Sequence, residues 1–325
     1  MTDIGPSPLA LTMGDPAGIG GEITLKAWRA KKGTPFFVID DVHRLKSLAD
    51  KTGLDTPITE IHDPALTTPV FADALPVLHR PLSAGPDHSS AVIDSIRLAV
   101  ELVRGGQASG VVTNPIHKKS LYDAGFEFPG HTEFLAGLAG IDTPPVMMLA
   151  SPELKVVPVT VHVSLQDAIT SLKTDDIVSL SVITAKALQE DFAISSPKLA
   201  VAGLNPHAGE GGGMGADEVT IIAPAIAKLR EMGIDASGPW PPDTMFHSAA
   251  RATYDAAICM YHDQALIPIK TINFDAAVNV TLGLPFVRTS PDHGTAFDIA
   301  GTGVARETSL LAAIKMAADI AARRL

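Results

Sequence analysis

The sequence predicts an α/β protein in which helices cover both faces of a sheet. Strand-like apolar runs alternate with helix-like stretches almost throughout the chain. Aromatic residues make up only 5% of it, while Ala, Val, Ile and Leu abound, as in strands buried on both faces. The 27 Gly and 25 Pro supply the turns that so many short elements require. With 325 residues there is room for two domains or one large unit with an ample core.

The first strand is Leu9 to Met13, followed by a Gly-rich turn from Gly14 to Glu22 and a helix to Arg29. Strand, Gly-rich loop and helix aim backbone N–H groups at an anion, although a plain tight turn reads the same way. Glycines 14, 18, 20 and 21 do not fit the G-x-G-x-x-G dinucleotide pattern. Phe36 to Ile39 is a second strand and Asp41 to Asp50 a short helix. The Pro-rich stretch Asp55 to Pro86 reads as short edge strands and loops. Ser89 caps a helix to Gly105, with Val92, Ile96, Ala99, Val100 and Val103 as its apolar stripe. Gly110 to Thr113 is a strand ending in Asn114-Pro115-Ile116-His117-Lys118-Lys119, whose helix stops near Gly125.

Further on, Gly130 turns the chain, and His131 or Thr132 starts a helix to Gly140. A His-Thr pair there can hold a phosphate with side chains and free N–H groups together, or Thr132 simply caps the helix. Strands follow at Val146 to Leu149, Val156 to Val161 and Leu199 to Leu204, the second ending at His162 and the third leading to His207. Thr174 caps a helix with Asp175 and Asp176 in its first turn. Another helical stretch runs from Asp217 to Met232, with Pro224 starting or kinking a turn. The last helix runs from Arg306 to Arg323.

The densest chemistry lies between Ala256 and Gly303. An apolar strand, Ala256 to Met260, ends on Tyr261-His262-Asp263-Gln264, and open α/β sheets place their sites at such strand ends. His162, His207 and His262 thus share one setting, at or just beyond the end of an apolar strand. If those strands are parallel neighbours, the three imidazoles arrive at one sheet edge. Three His with an open fourth position describe a catalytic divalent-metal site; each His alone could instead satisfy a backbone group. Zinc, cobalt, nickel or iron would suit three imidazoles. Lys270 and Arg288, with Asn279 between them, match a phosphate, Arg as a fork and Lys as a point charge. The alternative for them is a solvated surface pair. Asp243 reads as a general base or a turn residue.

The net charge of −11 argues against a nucleic-acid or anionic-membrane partner, though a pocket can still be locally basic. The lone Cys259 lies in an apolar run and reads as a buried structural thiol. No signal peptide opens the sequence, and no apolar run approaches the roughly 20 residues that span a bilayer. A soluble cytoplasmic protein is expected.

Taken together, MGDPAGIGGE at 13–22, VVTNPIHK at 111–118, PGHTEF at 129–134, GLNPHAGEGG at 203–212, YHDQALIPIK at 261–270 and NVTLGLPFVRTSPDHGTAFDIAGTG at 279–303 resemble the 4-hydroxythreonine-4-phosphate dehydrogenase family of vitamin B6 biosynthesis. The main departure is Gly21, where that family often has Pro. The resemblance implies a three-layer α/β/α fold of the isocitrate and isopropylmalate dehydrogenase type, with two domains, a cleft between them and a non-Rossmann NAD site. The expected division is a nucleotide-side domain at 1–140 with 285–325, and a metal and dimerisation domain at 141–284. It implies a homodimer with shared active sites. His162, His207 and His262 would ligate a divalent metal (zinc, magnesium or cobalt), and His131, Thr132, Lys270, Asn279 and Arg288 would hold a small phosphorylated hydroxy amino acid. Asp292, His293 and Gly294 would meet NAD or NADP, and Asp243 and Lys270 would serve catalysis. The implied reaction oxidises 4-phosphohydroxy-L-threonine to a 3-oxo acid that decarboxylates to 3-amino-2-oxopropyl phosphate, on the route to pyridoxal 5'-phosphate. Rival readings are the same machinery acting on a phosphorylated threonate or erythronate or on a cis-diol, a metal-dependent phosphatase or phosphotransferase, and a non-catalytic phosphometabolite-binding protein.

Overall fold

The computed structural model describes residues 7–30, 34–82, 88–117, 131–141 and 144–324, with backbone alone at 131–133. The chain divides into two compact units, Met1–Pro145 with Leu284–Arg323, and Val146–Gly283. The first unit contributes strands β1 (Leu9–Thr12), β2 (Phe36–Asp40), β3 (Ile58–Ile61), β4 (Leu75–His79) and β5 (Val111–Val112). The second contributes β6 (Val146–Ala150), β7 (Lys155–Pro158), β8 (Lys198–Ala202), β9 (Asp235–Trp240), β10 (Ala256–Cys259) and β11 (Val278–Leu282), after which β12 (Arg288–Pro291) returns to the first.

In the first unit the strand order is β3-β4-β2-β1-β5-β12, and every pairing is parallel. All residues of β1 and β2 are buried, so this part of the sheet is covered on both faces. The helix Ser89–Arg104 packs Val92, Ile96, Ala99 and Val100 into a core with Ala10, Phe37 and Ile39. The expected stripe is therefore buried, apart from half-buried Val103. The helix Val42–Thr52 starts at Asp41, whose carboxylate accepts from the His43 and Arg44 N–H groups, and ends on left-handed Gly53.

Several expectations change in detail. Ser89 is the first helical residue, and the capping position belongs to His88. Thr174 likewise lies inside the helix Thr174–Glu190, and its hydroxyl donates to the Ile221 carbonyl at 2.9 Å. β4 is an interior strand between β3 and β2, and only β3 lies at the edge, because Leu75, Val77 and Leu78 are apolar enough to bury. The continuation of the 111–118 segment through Lys118, Lys119 and Gly125, and the turn at Pro129 and Gly130, lie outside the described residues.

The second unit has the order β11-β6-β7-β10-β8-β9. β11–β6 and β6–β7 are antiparallel, whereas β7–β10, β10–β8 and β8–β9 are parallel. Its core gathers Leu149, Val156, Ala200, Ala202, Ala257 and Cys259, and burial pushes the Cys259 thiol well above its ordinary pKa. The stretch from Asp217 splits into a π turn, Glu218–Ile222, and an α-helix, Ala223–Glu231, with Pro224 near its start. Pro lacks the N–H that a continuous helix would use there. The helix His262–Ile272 leaves the end of β10 with Pro268 inside it; sequence periodicity did not reveal it. Among the described residues no helix is long and apolar enough to cross a membrane.

Candidate active site

The three histidines belong to neighbouring parallel strands of the second unit. β7 leads to His162, β10 to His262 and β8 to His207, and β10 lies between the other two. β7 ends at Pro158 rather than Val161, although the Val159 and Thr160 N–H groups still donate to Cys259 and Met260 carbonyls. His162 then takes a left-handed conformation, φ 54°, which turns the chain out of the sheet. Its ring lies 6.0 Å from that of His262. Both line a cavity of about 250 Å³ with Thr160, Val163, Leu165, Ala168, Tyr261 and Asp263. The His262 Nδ1 is 2.7 Å from Asp263 Oδ1. A carboxylate only accepts, so Nδ1 donates this bond, and in the neutral imidazole Nε2 is then the lone-pair donor.

His207 is not among the residues lining that cavity. It is itself exposed and begins a run, His207 to Gly211, in which every φ is positive. Among the described residues no group of three or more His, Cys, Asp or Glu side chains is placed to hold a metal ion. The donor chemistry at His162 and His262 fits a borderline divalent ion, while the set within one chain holds two imidazoles rather than three.

Other side chains tie these strand ends together; of them the sequence pattern marks only Gln264, as one of the polar residues that end β10. The Thr160 hydroxyl donates to the Met260 carbonyl at 2.9 Å, joining the ends of β7 and β10. Gln264 accepts from the Met260 N–H at 2.6 Å and donates to the Gly203 carbonyl at 2.8 Å, joining β10 to β8. Glu218 is buried and accepts from the Leu204 and Asn205 N–H groups at 2.8 and 2.7 Å and from the Asn205 side chain at 3.0 Å. A Cβ at Gly209 would come within 2.4 Å of Glu218 Oε2, so the His207 loop closes over this carboxylate only with Gly there. The signal for Glu218 was a charged residue in an otherwise helical stretch, too common to single out.

The phosphate candidates divide between the units. In the second, Lys270 lies on the helix that starts at His262, with Nζ 5.8 Å from the Phe274 ring centroid, and half-buried Asn279 is on β11. Asp243 is exposed in the short helix Pro242–Met245, and it does not line the cavity of His162 and His262. In the first unit, Arg288 opens β12 with 4% of its surface exposed. Its Nη2 donates to Thr113 Oγ1 at 2.6 Å, and desolvation pulls its pKa down to about 10. It therefore stays charged at neutral pH. His131 opens the helix His131–Ala139; the side chains of His131 and Thr132 lie outside the described residues.

The motifs of the first unit interlock. Asn114 donates to the Thr12 carbonyl and to Thr24 Oγ1 at 3.0 and 2.9 Å. The His117 ring meets Phe297 edge-on at 5.2 Å. A Cβ at Gly18 would approach Thr295 to 3.0 Å, so the Gly-rich turn serves close packing against the 292–303 segment. A Cβ at Gly21 would lie 2.7 Å from Leu48 Cδ2, the movable end of a side chain, and nothing in the structure explains Gly in place of Pro there. In the segment itself, His293 Nδ1 is 3.0 Å from the Gly294 carbonyl. Its Nε2 is buried and has no hydrogen-bond partner among the described residues. Beside Gly294 there is open space. An unsatisfied ring nitrogen next to an open backbone turn fits the polar part of a nucleotide.

Comparison with known proteins identifies the family. Residues 31–317 match the family model described as pyridoxal phosphate biosynthetic protein PdxA. A relative from Bradyrhizobium diazoefficiens, named 4-hydroxythreonine-4-phosphate dehydrogenase, is 54% identical over 100% of both chains. The crystal structure of a 4-hydroxythreonine-4-phosphate dehydrogenase from Klebsiella pneumoniae is 37% identical with a TM-score of 0.86, covering 97% of this chain and 99% of that one. A terephthalate 1,2-cis-dihydrodiol dehydrogenase from Burkholderia xenovorans is 27% identical with a TM-score of 0.64, over 96% and 98% of the two chains. The α/β fold and the family resemblance expected from the sequence both hold, and the chain belongs to the PdxA family of pyridoxal phosphate biosynthetic proteins.

Proposed function

We propose that the chain is a divalent-metal-dependent dehydrogenase that oxidises 4-phosphohydroxy-L-threonine with NAD to a 3-oxo acid, which loses carbon dioxide to give 3-amino-2-oxopropyl phosphate. The observation that carries this reading is the meeting of His162 and His262 over one cavity at the ends of neighbouring parallel strands, in a chain 54% identical to a relative named for that activity. When bound, the metal supplies Lewis acidity toward the substrate hydroxyl and the carbonyl formed from it, and NAD supplies the hydride acceptor.

The chain's own residues bind and orient. Asp263 holds the His262 tautomer that leaves Nε2 available. Lys270 follows His262 on the same helix by about 12 Å of rise, and we assign it with Asn279, Arg288, His131 and Thr132 to the phosphorylated substrate. A buried guanidinium offers a phosphate two parallel hydrogen bonds in a low dielectric. Asp292, His293 and Gly294 meet the nucleotide. Asp243 and Lys270 are the candidates for moving the hydroxyl proton.

We further assign the active unit to a homodimer. Val163, Leu165, Ile267 and Phe274 are each more than half exposed; the first two line the cavity of His162 and His262, and the other two lie on and just past the helix that starts at His262. A second copy would cover this apolar surface and complete a metal set that holds two imidazoles in one chain.

The test is a substrate panel with NAD and NADP and with zinc, magnesium and cobalt. The panel holds 4-phosphohydroxy-L-threonine, its dephosphorylated form, phosphorylated threonate and erythronate, and an aromatic cis-diol. Nicotinamide reduction is expected with the phosphorylated hydroxy amino acid first. Turnover of the diol above it would refute the assignment of the phosphate donors, and phosphate release without nicotinamide reduction would make the protein a phosphatase.

A further inference from the structure

The helix Gly20–Arg29 begins where a strand, Gly-rich loop and helix would receive an anion, but a carboxylate of the chain already occupies its first turn. Glu22 is fully buried. Its Oε2 accepts from the Gly301 N–H at 3.1 Å and the Gly303 N–H at 3.3 Å, and its Oε1 from the Ala305 N–H at 2.9 Å and Lys26 Nζ at 3.0 Å. Lys26 completes the arrangement from the other side, donating to the Gly303 and Ala305 carbonyls at 2.8 and 2.5 Å. One turn upstream, the Ile19 N–H donates to the Thr295 carbonyl at 2.9 Å. A single helix start thus grips the segment at 295 and again at 301–305.

We propose that Glu22, seconded by Lys26, is a positioning residue for the nicotinamide nucleotide. It pre-forms the 292–305 segment before the nucleotide arrives. This rests on the reading that Asp292, His293 and Gly294 contact that ligand. The segment contains Gly294, Gly301 and Gly303, and glycines lose the most backbone freedom when ordered. A loop free to wander would have to be ordered on binding and would weaken the complex accordingly. Both Glu22 oxygens face donors only, so the acidic side chain is specifically required. In Glu22→Gln the amide NH2 must point at backbone N–H groups on one side or the other, and the clamp opens although volume is kept.

The experiment compares wild type, Glu22→Gln, Lys26→Met and His293→Ala by titration with NAD, by titration with the phosphorylated substrate, and by amide hydrogen exchange over 295–305. Glu22→Gln is expected to weaken NAD binding about tenfold, the scale of one charge-assisted hydrogen bond. It should also lower protection at Gly301, Gly303 and Ala305, and leave substrate binding within about twofold. Lys26, 16% exposed, carries the same test if Glu22→Gln does not fold. Weakened NAD binding in His293→Ala with unchanged binding in Glu22→Gln would overturn the proposal, as would equal loss of both ligands. If Glu22→Gln weakens NAD binding and His293→Ala does not, the clamp stands and the assignment of Asp292 to Gly294 fails.

Discussion

Arg288 is the residue whose surroundings say most about its task. Its guanidinium is 4% exposed, is held by Thr113 and keeps its charge with a pKa lowered to about 10. A buried guanidinium binds a phosphate dianion through charge-assisted hydrogen bonds that a low dielectric strengthens. Arg288→Ala is expected to weaken the phosphorylated substrate by about 1.5–3 kcal/mol, more than tenfold, and to leave the dephosphorylated analogue nearly unchanged. Calorimetric titration with both compounds checks this, and equal losses would remove Arg288 from phosphate recognition. Asp41 gives a stability prediction. Desolvation raises its pKa, but the N–H groups of Leu82, Arg44 and His43 outweigh that and leave it below its ordinary value. A depressed carboxyl pKa stabilises the fold above the unfolded-state value, and that stability is lost as pH falls through the folded one. Asp41→Ala is therefore expected to cost about 1 kcal/mol near neutral pH, with the difference from wild type shrinking in acid. Urea unfolding at two pH values measures it.

Among elements, the ends of β7, β10 and β8 bring the three histidines to neighbouring strands. Each could be read from sequence because an apolar run short enough for a strand stops abruptly at polar residues, and His162, His207 and His262 stand at those stops. Their adjacency is a property of the sheet order, which no local pattern contains. The contacts of the residues that hold the strand ends were invisible for the same reason. Glu218 meets Leu204 and Asn205 only because a loop of left-handed residues folds back over it, and Gln264 spans two strands far apart in sequence. The helix His262–Ile272 was hidden by Pro268, a residue that ordinarily ends such a pattern. Ser89 and Thr174 read as caps because their residue types favour that position, yet both are helical, and the Thr174 hydroxyl turns instead to the Ile221 carbonyl. If the strand ends form one metal site, His162→Ala, His207→Ala and His262→Ala each lose the bound divalent ion while circular dichroism stays native. Metal analysis of the purified variants decides this, and unchanged content in two of the three would refute the ligand assignment.

At the scale of the molecule, each unit of this family member has its own set of strands and its own core. The α/β class was legible because β1, β2 and β10 are short, continuously apolar and separated by helix-period stretches. The antiparallel pairing of β11 with β6 and of β6 with β7 was not legible, because apolar runs look alike in either direction. The 13–22, 111–118 and 288–303 motifs lie far apart in sequence and interlock through Asn114, Thr113 with Arg288, and His117 with Phe297. We propose that this arrangement couples oxidation of a phosphorylated hydroxy amino acid to nicotinamide reduction and loss of carbon dioxide. Its most direct test measures reduced nicotinamide, carbon dioxide and inorganic phosphate together after 4-phosphohydroxy-L-threonine is mixed with NAD, a divalent metal and the protein. Equal amounts of reduced nicotinamide and carbon dioxide with no free phosphate are expected; inorganic phosphate without reduced nicotinamide would contradict the account.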